Sequence, residues 1–140
     1  MRQILLFAAL ATSLALLSGC TLSKTKADTA EDMTGKAAYH KISAEEAYEM
    51  MASQEVVVVD VRTQEEYDGG HIENAVLVPN ESIVSEMPEA LPDKEATLLV
   101  YCRSGRRSKD AAEKLLALGY QSVYDFGGVI DWPYELVKEE

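Results

Sequence analysis

Residues 97–108, Thr-Leu-Leu-Val-Tyr-Cys-Arg-Ser-Gly-Arg-Arg-Ser, join an apolar strand to a short polar loop. The first five residues form a nearly continuous apolar run, which is typical of a strand buried on both faces of a sheet. The polar loop begins at once with Cys102, and a helix is predicted from about Ser108 to Leu118, where Gly119 is placed to end it. Strand, loop and helix in this order indicate one unit of an α/β fold.

The same alternation continues on both sides of this unit. Capping boxes, in which Ser or Thr is followed three residues later by Glu, begin predicted helices at Ser43 and Thr63. The first runs to about Ser53, the second stops at Gly69-Gly70, and a third helix is predicted over 80–87. Further strands are predicted at 56–59, 76–78 and 122–125, and a turn at 127–128 precedes a short helical segment. The pattern predicts a mostly parallel central sheet with helices on both faces.

The N-terminal residues have the pattern of an export signal. Arg2 precedes the uncharged apolar run 4–17, whose fourteen residues are fewer than the roughly 20 that a membrane-spanning helix needs. The run Leu17-Ser18-Gly19-Cys20 resembles a bacterial lipoprotein lipobox. That resemblance implies a signal peptide at 1–19, removed before Cys20, and a lipid (palmitate among its acyl chains) on Cys20. The alternative is an ordinary secretory signal followed by an incidental cysteine. On the first interpretation the protein is exported and anchored to the bacterial cell envelope.

Composition separates a tether from a domain. Residues 20–38 contain the lipidated cysteine and a small, polar and charged stretch without apolar periodicity, which predicts a flexible tether; residues 39–140 form the domain. Signal and tether hold four of the 13 basic and three of the 24 acidic residues, so the domain keeps 9 and 21 and a net charge of −12. This charge argues against nucleic acid as a partner. Two cysteines make no disulfide framework, and no Cys/His spacing indicates a metal site.

Cys102 is the candidate nucleophile. Ligands of parallel sheets bind beyond the carboxyl ends of the strands, where this residue stands. Loop amides and the positive end of a helix dipole stabilise a thiolate, so we expect a lowered thiol pKa. Arg103, Arg106, Arg107 and Lys109 add a cationic spot that would attract a small anion. The alternative is an inert buried cysteine whose neighbouring arginines point to solvent.

Motifs along about residues 40–136 resemble those of the rhodanese (thiosulfate sulfurtransferase) family. They occur in order as Val59-Asp60-Val61-Arg62, Glu66-Tyr67, Gly70-His71-Ile72, Ala75, Pro79, Tyr101 to Ser108, Leu118-Gly119-Tyr120, and Gly127-Gly128 followed by Trp132. The resemblance implies the rhodanese-like fold and makes Cys102 the sulfur-carrying residue.

The resemblance also implies roles for the neighbours of Cys102. The substrate-binding loop comprises Arg103, Ser104, Gly105, Arg106, Arg107 and Ser108. Arg103, Arg106 or Arg107 would bind the sulfonate end of a donor, and Arg107 is favoured because the start of the helix should turn it inward. Asp60 and Arg62, with Glu66, are expected to form a supporting ion-pair region, and His71 to be a packed turn residue. No metal or organic cofactor is required.

The expected reaction moves a sulfane sulfur from thiosulfate or a similar small anionic donor, through a Cys102 persulfide, to a thiol, a protein acceptor or cyanide. The acceptor must come from outside, because a lipidated Cys20 leaves Cys102 as the only free thiol. One alternative is a membrane-tethered module that carries a persulfide or binds a partner without thiosulfate turnover. Cysteine phosphatase or arsenate reductase activity is a weaker alternative. Cysteine phosphatases use Cys-x5-Arg, whereas Arg107 stands at Cys-x4-Arg, and the shorter loop favours a single sulfur over a phosphoryl group.

Overall fold

The structure is a computed structural model that describes residues 37–138. The predicted signal peptide, Cys20 and the tether up to residue 36 lie outside these residues. Among residues 37–138 no helix is both long and apolar enough to cross a membrane.

The described chain alternates strands with helices. The strands are β1 (Ala38–Lys41), β2 (Val57–Asp60), β3 (Val76–Leu77), β4 (Thr97–Cys102) and β5 (Ser122–Gly128). The α-helices are α1 (Ala44–Ser53), α2 (Gln64–Asp68) and α3 (Arg106–Ala117), with 3-10 turns at Asn80–Ser82 and Val129–Asp131. Both predicted capping boxes are present, at Ser43 before α1 and at Thr63 before α2.

One sheet in the order β1-β5-β4-β2-β3 organises the domain, and every strand pair in it is parallel. Strand β4 is central, and its residues 98–102 are buried. The carboxyl ends of all strands therefore meet at one edge, with Cys102 in the middle of it. This arrangement confirms the predicted α/β class.

Helices cover both faces of the sheet. On one face α3 packs its buried residues Ala111, Ala112 and Leu115 against the strands, in the same cluster as Val59 and Val100. On the other face the buried cluster consists of Ala47 from α1 and of Val58, Ile72, Ala75, Leu99, Tyr101 and Phe126, with Tyr67 of α2 packed against it. Alternate residues of β2 and β4 thus supply two separate cores, as expected for a strand that is buried on both faces.

Three predicted elements differ from the observed ones. The helix predicted over 80–87 is only the 3-10 turn Asn80–Ser82, because Ile83 is buried whereas Val84 and Met87 are exposed, so no apolar stripe is available for packing. Helix α3 begins at Arg106 rather than Ser108, after Gly105 turns the chain with φ 94°. The predicted turn at 127–128 is instead the end of β5, where Gly128 pairs with Cys102.

Strand β1 was not predicted. Its first residue, Ala38, falls in the segment interpreted as tether, and the four residues of β1 pair in parallel with 122–125 of β5. Strand β1 therefore starts one residue before position 39, where the domain was predicted to begin.

Candidate active site

Cys102 occupies the last position of the central strand, and α3 begins four residues later at Arg106. The side chain lies on the α3 face of the sheet, and the residue is only 1% exposed. The amino end of α3 and the carboxyl end of β4 thus enclose the thiol between them, which is where α/β sheets place their ligands. Among the described residues Cys102 is the free cysteine.

Backbone amides converge on the sulfur of Cys102. The amide of Gly105 donates to Sγ at 3.0 Å. Burial raises the pKa of the thiol, but hydrogen bonds from the amides of Ser108, Gly105 and Ser104 outweigh it, so that the pKa lies below its ordinary value. The direction is the one expected from the sequence. A cysteine in this environment reacts as a thiolate.

Gly105 makes this convergence possible. Its φ of 94° lies in the left-handed region, which glycine adopts without a steric penalty. The turn directs its amide back to Cys102 and allows α3 to start at the next residue. The loop therefore binds the sulfur with main-chain groups rather than with a side-chain base.

The main chain at the end of β5 packs directly against the main chain of the Cys102 loop. A Cβ atom on Gly128 would lie 2.4 Å from the carbonyl oxygen of Arg103 and 2.6 Å from Cα of Ser104, distances that no side chain tolerates. The amide of Ile130 donates to the same carbonyl of Arg103 at 3.2 Å. The Gly-Gly pair of the sequence thus permits close packing of two main-chain segments.

Asp125 was missed by the sequence analysis. Its carboxylate is 1% exposed and accepts hydrogen bonds from Ser108 Oγ at 2.7 Å and from the amide of Gly127 at 2.9 Å. The signal available in the sequence is an acidic residue inside the apolar run Val-Tyr-Asp-Phe-Gly-Gly, since a carboxylate in a buried strand must find partners.

The loop arginines divide into two kinds. Arg103 and Arg106 are exposed. Arg107 donates from both terminal nitrogens to Glu66 of α2, at 2.7 and 2.8 Å, and Arg107 lowers the pKa of that carboxyl to about 2. Glu66 therefore pairs with Arg107, whereas the sequence analysis grouped it with Asp60 and Arg62. The pKa of Arg107 is raised mainly by its hydrogen bonds to Glu66. The negative charge of the Cys102 thiolate raises it further, so the guanidinium and the sulfur interact electrostatically.

Asp60 and Arg62 form a buried pair at the end of β2. Arg62 Nη2 lies 2.6 Å from Asp60 Oδ2, and it also donates to the carbonyl of Gly70 at 2.8 Å. The hydroxyl of Tyr101, the residue before Cys102, donates to the same oxygen of Asp60 at 2.6 Å. These contacts tie β2, the 70–72 turn and β4 together. The pair supports the strand that ends in the candidate nucleophile and does not touch the sulfur.

His71 is buried in the turn that follows α2. Its ring stacks on Tyr67 with centroids 3.6 Å apart, and Nδ1 lies 3.0 Å from the carbonyl oxygen of Tyr67. Its main chain forms an antiparallel bridge with Val137. These contacts are those of a packed turn residue.

Comparisons with known proteins agree with this geometry. Residues 43–133 match the model of the rhodanese-like domain. The chain is 34% identical over 121 residues to a tRNA uridine(34) hydroxylase of Hamiltonella defensa, a match that covers 81% of this chain and 34% of that protein. The chain thus spans about a third of the length of the curated relatives it matches.

Solved structures include proteins of similar size. A rhodanese with anions from E. coli is 36% identical with a TM-score of 0.54, covering 59% of this chain and 98% of that one. A human single-domain sulfurtransferase is 25% identical with a TM-score of 0.59, covering 66% and 93%. The matched family model, together with the parallel sheet and the cysteine loop at its carboxyl edge, shows that the chain belongs to the rhodanese-like domain family.

Proposed function

We propose that this protein is a sulfurtransferase that moves a sulfane sulfur from thiosulfate, or a similar small anionic donor, through a persulfide on Cys102. The observation that carries the proposal is the convergence of loop amides on Cys102 Sγ, with the Gly105 amide at 3.0 Å. A ring of N–H donors stabilises negative charge on the thiolate before the reaction and on the terminal persulfide sulfur after it.

The reaction has two displacement steps. The Cys102 thiolate attacks the outer sulfur of thiosulfate; a new sulfur–sulfur bond forms, the original one breaks, and sulfite leaves with the electron pair. An acceptor thiolate or cyanide then attacks the terminal sulfur of the persulfide. That bond breaks towards Cys102, which returns as a thiolate. The amides of Ser104, Gly105 and Ser108 supply hydrogen bonds to the sulfur.

Exposed positive charge next to Cys102 suits an anionic donor. Arg103 and Arg106 are exposed and would meet the sulfonate first, with charge-assisted hydrogen bonds. Arg107, the residue favoured by the sequence analysis, already donates both terminal nitrogens to Glu66. Its contribution would therefore be mainly electrostatic.

Mass spectrometry of the intact protein after exposure to thiosulfate tests the proposal. The wild type is expected to gain one sulfur atom per chain, and added cyanide or thiol is expected to remove it. Cys102→Ser, which replaces one buried small side chain by another, is expected to gain none. A wild-type protein that gains no sulfur while its thiol remains titratable would contradict the proposal.

A persulfide carrier is the second candidate, and the burial of Cys102 favours it. Cys102 is only 1% exposed, so a persulfide formed on it would be shielded from acceptors and would persist. The two candidates differ in the second step. Stoichiometric loading without release to cyanide or to a small thiol would identify a carrier, whereas repeated release of sulfite and thiocyanate would identify the transferase. Hydroxylation is the activity named for longer relatives, of which this chain spans only about a third.

We also propose that the mature protein begins at a lipidated Cys20 and is held on the cell envelope. The support is the lipobox-like run Leu17-Ser18-Gly19-Cys20 after a short apolar segment. Two or more acyl chains give firm membrane attachment, whereas one is marginal. The wild type is expected to partition into detergent, and Cys20→Ala to be recovered in the aqueous phase. Unchanged retention of Cys20→Ala in the detergent phase would contradict the anchor.

A further inference from the structure

Asp125 links the active-site loop to strand β1 through its two carboxylate oxygens. Oδ1 accepts from Ser108 Oγ at 2.7 Å and from the amide of Gly127 at 2.9 Å. Oδ2 accepts from the hydroxyl of Tyr39 at 2.8 Å and from Lys41 Nζ at 3.1 Å. The carboxylate is 1% exposed, and all four of its hydrogen-bond donors come from the protein. Among the described residues, Oδ1 bonds only to Ser108 and Gly127, on the side of Cys102, and Oδ2 bonds only to β1.

Both donors on Oδ1 belong to the framework around the sulfur. Ser108 contributes its amide to the hydrogen bonds on Cys102. Gly127 precedes Gly128, the residue on which the backbone of Arg103 and Ser104 rests. Asp125 therefore fixes α3 and the end of β5 relative to each other, and these are the two elements that enclose the loop.

The hydroxyl of Ser108 has a single proton and several acceptors near it. The carbonyl oxygens of Gly105 and Gly127 lie at 3.1 and 3.3 Å, both farther away than Asp125 Oδ1. A charged acceptor at the shortest distance makes the strongest of these hydrogen bonds. Asp125 thus selects one rotamer of Ser108.

Lys41 compensates the charge that this arrangement buries. An isolated buried carboxylate near Cys102 would disfavour the thiolate, because like charges repel. The ammonium group of Lys41, whose side chain is 52% exposed, lies 3.1 Å from Oδ2, on the side away from the loop. The carboxylate can therefore hold the loop while its charge is balanced from β1.

We propose that Asp125 is a positioning residue for sulfur transfer, which holds Ser108 and Gly127 so that the loop amides stay directed at Cys102 Sγ. The proposal rests on the proposed function, because it assigns Asp125 a role in the reactivity of the same cysteine. It also accounts for Lys41 of β1, whose ammonium group balances the charge of the buried carboxylate.

The test is the rate of Cys102 alkylation by iodoacetamide as a function of pH, which reports the thiol pKa without any sulfur donor. Asp125→Ala is expected to raise the thiol pKa by about one unit and to slow alkylation at neutral pH about tenfold. Asp125→Asn keeps an acceptor oxygen for Ser108 and Gly127, so its alkylation rate is expected to stay within about threefold of wild type. Tyr39→Phe, which leaves Oδ1 untouched, is the matched control.

The sign of the change separates positioning from simple charge. If Asp125 acted only through its negative charge, both Asp125→Ala and Asp125→Asn would lower the thiol pKa and speed alkylation, and that result would overturn the proposal. An unchanged thiol pKa in folded Asp125→Ala would overturn it as well. If Asp125→Ala does not fold, Asp125→Asn decides: an alkylation rate within about threefold of wild type supports the proposal, and a lowered thiol pKa with faster alkylation rejects it. A wild type that accepts no sulfur from thiosulfate would defeat the proposed function, yet the alkylation comparison would still decide the role of Asp125.

Discussion

Gly128→Ala is expected to reduce the rate of sulfur transfer on the order of a hundredfold, because displacement of a reacting group by about 1 Å has an effect of that size. The added Cβ would lie 2.4 Å from the carbonyl oxygen of Arg103 and 2.6 Å from Cα of Ser104. Both contacts are with the main chain, which cannot rotate away as a flexible side chain can. The loop must therefore move, and its amides move with it.

The same substitution is expected to lower the free energy of unfolding only modestly. Overpacking a buried site costs about 1–3 kcal/mol, and here much of the strain can be relieved by shifting the exposed loop. The measurements are thiocyanate formation from thiosulfate and cyanide, and urea denaturation of the same samples. Gly69→Ala is the matched control, since its Cβ would meet only the carbonyl oxygens of Glu65 and Glu66 at 3.4 Å. Wild-type activity in a folded Gly128→Ala protein would show that the close packing of β5 on the loop is unnecessary.

The site depends on main-chain geometry more than on side-chain chemistry. The sulfur is surrounded by loop amides, which become available because Gly105 turns the chain and because the end of β5 lies against the loop. Side chains act one step away: Asp125 bonds to Ser108, and Glu66 bonds to Arg107. Such a site stabilises charge on sulfur through amide hydrogen bonds and does not depend on a general acid, which suits a displacement in which thiolates attack and leave.

The elements predicted correctly from sequence are those encoded by local pattern. The apolar run of β4 and the capping boxes before α1 and α2 carry their signal within a few neighbouring residues. The position of Cys102 follows from the same local order of strand, loop and helix. The parallel sheet then follows from the alternation of strands and helices, because parallel strands require a crossover between them.

What sequence could not predict depends on pairing between distant segments. Strand β1 has only four residues and owes its conformation to pairing with 122–125 of β5. The bonds from Ser108 to Asp125 and from Arg107 to Glu66 join residues 17 and 41 positions apart, so no local motif indicates them. The prediction of a helix over 80–87 was wrong because it relied on a local signal alone. Asn80 is a suitable helix cap, but the residues after it offer no apolar face for packing.

Arg62→Met is expected to destabilise the domain by about 3–5 kcal/mol, the usual cost of leaving one partner of a buried ion pair uncompensated. Asp60 is 0% exposed, and Arg62 covers its carboxylate with hydrogen bonds of 2.9 Å to Oδ1 and 2.6 Å to Oδ2. The substitution preserves a long side chain but removes every one of these donors. It also leaves the carbonyl of Gly70 without the guanidinium that binds it.

The loss of stability is measured as a lower urea midpoint at neutral pH. The double variant Asp60→Asn/Arg62→Met tests whether the loss comes from the uncompensated carboxylate. Removing the carboxylate as well should restore part of the stability, because the main cost lies in the uncompensated charge and not in the missing contact. Asp110→Asn is the matched control: its pair with Lys114 is 2.8 Å long but more than one third exposed on both sides, so a change within about 1 kcal/mol is expected. Equal losses for Arg62→Met and Asp110→Asn would contradict the argument, since burial is the property that distinguishes the two pairs.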